Sequence, residues 1–194
     1  MKRTLKYLLA ALAIASLVLV SCKKHEEDEP VDENVVATLT QAELVDAVAG
    51  MYAAWEENTT IAETLKVGSK DLTLPQYQYA MFKLLVNLQA NDKADIKVLD
   101  LKPADHPERD SYDKDEIAVV NGPANAKGKE DLASIAQRIL DEAVEKVRIP
   151  NVTLFDRPDG SISFSTNRAT VTVARAIAGY KKDGKLPEKV STEY

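Results

Sequence analysis

The sequence predicts a mainly α-helical fold with small β-hairpins, built as two tandem helix–hairpin–helix (αββα) repeats. Three observations point there. Leu44, Val45, Val48, Met51, Tyr52 and Trp55 recur at the spacing of one helical face. Leu65-Lys66-Val67 and Leu72-Thr73-Leu74 flank Gly68-Ser69-Lys70-Asp71, a turn between two alternating segments. The same order of helix, hairpin and helix returns about 88 residues later.

Residues 1–21 read as a signal peptide. Lys2, Arg3 and Lys6 form a positive start, and Leu8 to Val20 is an apolar core, shorter than the roughly 20 residues a membrane span needs. Leu19-Val20-Ser21-Cys22 resembles the lipobox of bacterial lipoproteins, in which the signal is cut before the cysteine and the cysteine carries the acyl chains. Cys22 is the only cysteine, so no intramolecular disulfide forms, and lipidation is its expected use. Each buried methylene of an acyl chain contributes about 0.8 kcal/mol, so several chains anchor firmly.

Residues 22–37 are expected to be an acidic, disordered tether. Lys23-Lys24-His25-Glu26-Glu27-Asp28-Glu29 has almost no apolar content and cannot join a core. Lysines followed by an acidic run resemble the surface-export signal of Bacteroidetes-type lipoproteins; a plain solvated spacer is the competing reading. The expected location is therefore the bacterial outer membrane, lipid-anchored and facing the surface. With the signal removed, the chain keeps 22 basic against 31 acidic residues, a formal charge of −9. That charge, with no basic stripe, argues against nucleic-acid binding.

The first repeat is expected over residues 38–103. Thr40 and Glu43 have capping-box spacing, with Leu39 and Leu44 placed as a hydrophobic staple. Asn58-Thr59-Thr60 ends the first helix. Pro75 suits the first turn of a second helix, about Gln76 to Leu88. Tyr77, Met81, Leu84, Leu85 and Leu88 make its main stripe, and Tyr79, Phe82 and Val86 a second, which predicts cover on more than one side. Ile96 to Leu101 alternates briefly and reads as a short strand.

Residues 104–128 are expected to be a linker. Asp105-His106-Pro107-Glu108-Arg109-Asp110 and Asn121-Gly122-Pro123 are polar and turn-rich. Ile117 to Val120 reads as a docking strand or a hydrophobic clip. His106 stands among carboxylates, and a solvated loop outweighs a metal site there.

The second repeat is expected over residues 129–194. Leu132, Ile135, Ala136, Ile139, Leu140, Ala143, Val144 and Val147 make its first-helix face. Ile149-Pro150-Asn151 breaks the helix, and Pro158-Asp159-Gly160 turns the hairpin. Ser165 is placed to cap the last helix. Aligned at an offset of 90, Leu72 meets Ile162 and Leu84 meets Ala174, which implies a hairpin two residues longer. No catalytic domain is expected beyond the closing Gly184 to Val190.

Together, Ile149 to Val152, Ile162 to Phe164 and Lys185 to Val190 resemble the pseudomurein-binding repeat. In the first copy Ile61-Ala62-Glu63-Thr64 replaces the Pro-Asn pair, while Leu74-Pro75-Gln76-Tyr77 keeps the hairpin-to-helix junction. That family tethers proteins to pseudomurein, the wall polymer of certain methanogens. The resemblance implies a non-catalytic cell-envelope or glycan-binding module. In a bacterial lipoprotein the ligand is left open among peptidoglycan, a host or dietary glycan, and a neighbouring methanogen's wall.

The rest of the sequence agrees with binding over catalysis. The two histidines lie in polar segments, and no phosphate loop, zinc-ligand spacing or serine-nucleophile elbow occurs. Carboxylates are many, but no pair is marked for acid–base work. No cofactor or metal is expected. Aromatic rings pack well on sugar faces, so Trp55, Tyr77, Tyr79 and Tyr112 are the candidate ligand-binding residues. Core packing is the competing reading for Trp55 and Tyr77. The expected partners are the membrane, through the lipid, and a cell-wall polymer or polysaccharide. The alternative is a surface adaptor that binds another protein.

Overall fold

Strands frame each copy, and this overturns the mainly helical class expected from the sequence. The computed structural model describes residues 34–119, 130–158 and 160–194. The signal segment, Cys22, His25 and the rest of the tether to residue 33, Val120, the turn Asn121 to Asn125 and Asp159 lie outside the described residues. The first copy runs β1 (Val35–Leu39), α1 (Gln41–Asn58), β2 (Thr64–Val67), β3 (Lys70–Thr73), α2 (Leu74–Ala90) and β4 (Ile96–Leu99). The second runs β5 (Glu116–Ala118), α3 (Leu132–Lys146), β6 (Val152–Arg157), β7 (Gly160–Ser165), α4 (Thr166–Asp183) and β8 (Lys189–Ser191).

Among the described residues the eight strands make four two-stranded sheets, β1–β4, β2–β3, β5–β8 and β6–β7, all antiparallel. The fold is mixed α/β, and its unit is β-α-β-β-α-β rather than αββα. Local pattern cannot separate short apolar runs from loops. Residues 35–37 start β1 in place of the expected tether, and Ala37 is buried. Ile117, expected in the linker, pairs with Val190 in the closing sheet.

The helix starts follow local chemistry. The Thr40 hydroxyl accepts the Glu43 amide at 3.3 Å, and Glu43 Oε2 accepts the Thr40 amide at 3.2 Å. Gln76 Oε1 accepts the Thr73 amide at 3.0 Å ahead of α2, with Pro75 just inside. Asp131 Oδ1 accepts the Ser134 amide at 2.8 Å, and Ser165 Oγ accepts the Arg168 amide at 3.1 Å. Each cap satisfies a donor that the helix cannot.

The hairpins differ in length by four residues, not the two expected. Thr64 pairs with Thr73 at the base of the first, and Val152 with Ser165 at the base of the second. Thr73 and Ser165 are also the N-caps of the helices that follow. Beyond the base, each strand of the second hairpin is longer by two residues. Two residues per strand preserve the inward face, whereas one per strand would reverse it. The second helices therefore correspond at an offset of 92. Leu72 matches Phe164, and Val98 matches Val190; all four are buried.

Asn34–Tyr194 form one compact unit. Each first helix lies chiefly on the second helix of the other copy: α1 on α4, and α3 on α2. The second helices α2 and α4 also touch at the centre. The copies are thus related by a pseudo-two-fold axis and share one core. Tyr77, Phe82, Leu84, Leu85, Ile135, Ile139, Phe155 and Phe164 are fully or almost fully buried in it. This explains the double stripe on α2, which is covered by both first helices.

Candidate cleft behind the third helix

Helix α3 ends on a strained residue. Val147 has φ 51° and ψ 39°, a left-handed cap that a β-branched side chain rarely adopts. Thr59 closes α1 in the same way at φ 54°, so the strain belongs to the repeated unit. Val147 and Val144, expected on the core-facing stripe, are instead 43% and 56% exposed. After the cap, the Ile149 amide donates to Lys102 O at 3.1 Å and the Lys102 amide to Val147 O at 3.2 Å. Pro150 O and Asn151 O accept from the Thr166 hydroxyl at 2.5 Å and the Thr166 amide at 2.9 Å. Residues 148–151 are therefore pinned from both sides.

Opposite them runs residues 104–112, a strap rather than a free loop. Glu108 accepts the Asn167 amide at 3.2 Å and the Asn167 side-chain amide at 2.9 Å, which places a carboxylate at the N-terminus of α4. Asp110 Oδ2 accepts from Ser165 Oγ at 3.1 Å and lies 2.8 Å from Arg168 Nε. The Ser111 amide donates to Ser163 O at 2.9 Å. Charge-rich linker residues thus serve as caps and ion pairs. His106 points into solvent, 3.7 Å from Asp105.

Between strap and helix end lies a cleft of about 540 Å³, a size ordinary for small-molecule sites. A second cleft of about 200 Å³ adjoins it and shares Ala104, Ile149, Pro150 and Asn151. It reaches Leu74, Pro75 and Gln78 of the first copy. The larger cleft carries Arg109, Lys146 and Arg148 against Asp105 and Glu142. Glu142 holds Lys146 at 2.5 Å, and that bond pushes the lysine up. Arg148 Nη1 is paired with Asp105. Both carboxylates in this cleft are engaged with cations. Asn151 Nδ2 and Arg148 Nε have no acceptor among the described residues.

The four aromatic candidates do not share a surface. Tyr77 is fully buried, its hydroxyl donates to Ala62 O at 2.5 Å, and burial pushes its phenol up. Tyr79 is buried as well. Tyr112 is buried with its ring edge-on to Phe164 at 4.6 Å and tilted on Phe155 at 6.4 Å. Trp55 alone is half-buried. It stacks on Tyr52 at 6.0 Å, and the Arg175 guanidinium lies over both rings at 5.6 and 5.4 Å. Arg175 also donates to the Tyr52 hydroxyl at 2.8 Å and to Ser191 O and Glu193 O. Burial raises the Tyr52 phenol, while the Arg175 bond opposes it.

Sequence reasoning missed Arg109, Arg148 and Arg175. The available signal was the proline run Pro103, Pro107 and Pro150, which marks chain that cannot continue a helix. Among the described residues, no cluster of three His, Cys, Asp or Glu residues is placed to hold a metal, and no helix is long and apolar enough to cross a membrane. Comparison with known proteins finds no family model and no curated protein that matches the chain.

Proposed function

We propose that this is a lipid-anchored, non-catalytic cell-envelope protein that binds a wall polymer or polysaccharide in the cleft bordered by Ile149, Pro150 and Asn151. One observation carries the reading. The Ile-Pro-Asn stretch, on which the resemblance to the pseudomurein-binding repeat rests, is the wall common to the two adjoining clefts. Pro107 and Ala104 offer apolar surface, and the charged rim offers directed hydrogen bonds, a mixture that suits a saccharide. The pairing of Asp105 and Glu142 with cations favours binding over acid–base chemistry. The lipobox at Cys22 and the acidic run after it support an outer-membrane, surface-facing anchor.

A sedimentation assay tests the reading. The full chain in mild detergent is mixed with peptidoglycan sacculi, methanogen walls and insoluble polysaccharides. Selective pelleting that Asn151→Ala weakens, and Trp55→Ala leaves intact, is the expected result. No pelleting with any polymer overturns it. The second reading, an adaptor for another protein, draws support from exposed Val144, Val147 and Leu154 on the second copy. A folded chain that pellets with no polymer would move the weight to that surface.

A further inference from the structure

We infer that the larger cleft takes one carboxylate-bearing saccharide per chain, with Arg109 as the residue that meets the carboxylate. The inference rests on the binding function proposed above and specifies its ligand. Charge bookkeeping inside the cleft points to it. Lys146 is neutralised by Glu142 and Arg148 by Asp105. Arg109 also lines the cleft, is exposed, and has no acidic or hydrogen-bonding partner among the described residues. The cleft therefore holds three cations against two carboxylates, a local excess of positive charge in a chain of net charge −6. Asn151 also lines the cleft, and its buried Nδ2 lacks an acceptor among the described residues. A guanidinium matches the two oxygens of a carboxylate better than a neutral hydroxyl.

The pseudo-two-fold relation adds the count. At an offset of 88, Arg148 and Ile149 correspond to Thr60 and Ile61. Those residues border a cavity of only about 10 Å³, with Trp55 standing where the second copy has Ala143. Among the described residues, the first copy's matching stretch has Thr60 in place of Arg148 and borders far less room.

Two carboxylated saccharides serve as probes: trigalacturonic acid for uronate polysaccharides, and a disaccharide–tetrapeptide for peptidoglycan. Each is compared with its methyl-esterified form by calorimetry on the full chain in detergent. The expected result is one molecule per chain for at least one acid, with the ester weaker by about tenfold or more, as for loss of a charged hydrogen bond. Arg109→Gln should abolish that difference while leaving the melting temperature unchanged, and Arg109→Lys should restore part of it. Whichever acid binds identifies the source. Equal binding of acid and ester, or two molecules per chain, overturns the inference. Sedimentation with a neutral polysaccharide but no binding of either acid sinks the carboxylate inference and leaves the envelope-binding function standing. Absence of both sinks both.

Discussion

Gln78 Nε2 donates to Thr170 Oγ1 at 3.0 Å, and the two residues occupy the same position in the two copies. The pseudo-two-fold axis therefore passes between them, where α2 and α4 meet. Both side chains are almost wholly buried. The Thr170 hydroxyl spends its own hydrogen on Thr166 O at 2.7 Å, so its lone pairs are left for Gln78. Divergence of two identical copies into a donor and an acceptor gives the centre a directed bond that two like residues would not make as readily.

Breaking that bond from one side should be costlier than removing it whole. Thr170→Val leaves the buried amide with only Asn167 Oδ1 at 3.3 Å, and should destabilise the protein by about 1–3 kcal/mol. Gln78→Leu with Thr170→Val should lose less than the sum of the single changes. Urea denaturation of the four proteins checks this; additive losses would mean the pair does not interact.

Val147→Gly should stabilise the protein. A left-handed residue with a Cβ costs roughly 1–2 kcal/mol, and glycine adds back about 0.5–1 kcal/mol of chain entropy. Val147 is 43% exposed and gives up little packing. A gain near 1 kcal/mol in the same denaturation assay is expected, and a loss would show that the side chain packs more than its exposure implies.

The cap of α1 should depend on pH. Bonds from the Thr40 side chain and then its amide hold the Glu43 carboxyl below its usual value of 4.5. A lowered folded-state value means the stabilisation is present above about pH 4.5 and lost as pH falls through the lower value. Glu43→Gln should therefore melt lower than the parent at pH 7 and match it near pH 3. A gap that persists at low pH would assign the effect to shape, not charge.

Cys22→Ser should release the chain from membranes. Acylated protein partitions into a detergent phase and takes up labelled palmitate; the variant should do neither. Retention of the variant in the detergent phase would remove the lipid-anchor reading.

Local chemistry by itself determined much of the chain's layout. The capping box at Thr40, the breaks at Asn58 and Ile149, the cap at Ser165 and the duplicated order of helices and hairpins all rest on neighbours within a few residues. Only the tertiary structure decided the fold class, because β1 finds its partner in β4 and β5 finds its partner in β8, each far along the chain. A short extended run has no local sign of such a partner. The same holds for the site. Tyr77, Tyr79 and Tyr112 carry the composition of a sugar platform, yet burial depends on what covers a side chain: α2, which carries Tyr77 and Tyr79, lies between helices of both copies, and Tyr112 packs on Phe155 and Phe164 of the second hairpin. Arg109 reads as one more charge in a polar loop. Its meaning appears only when the strap lies against the end of α3 and every other cation in the cleft has found its carboxylate.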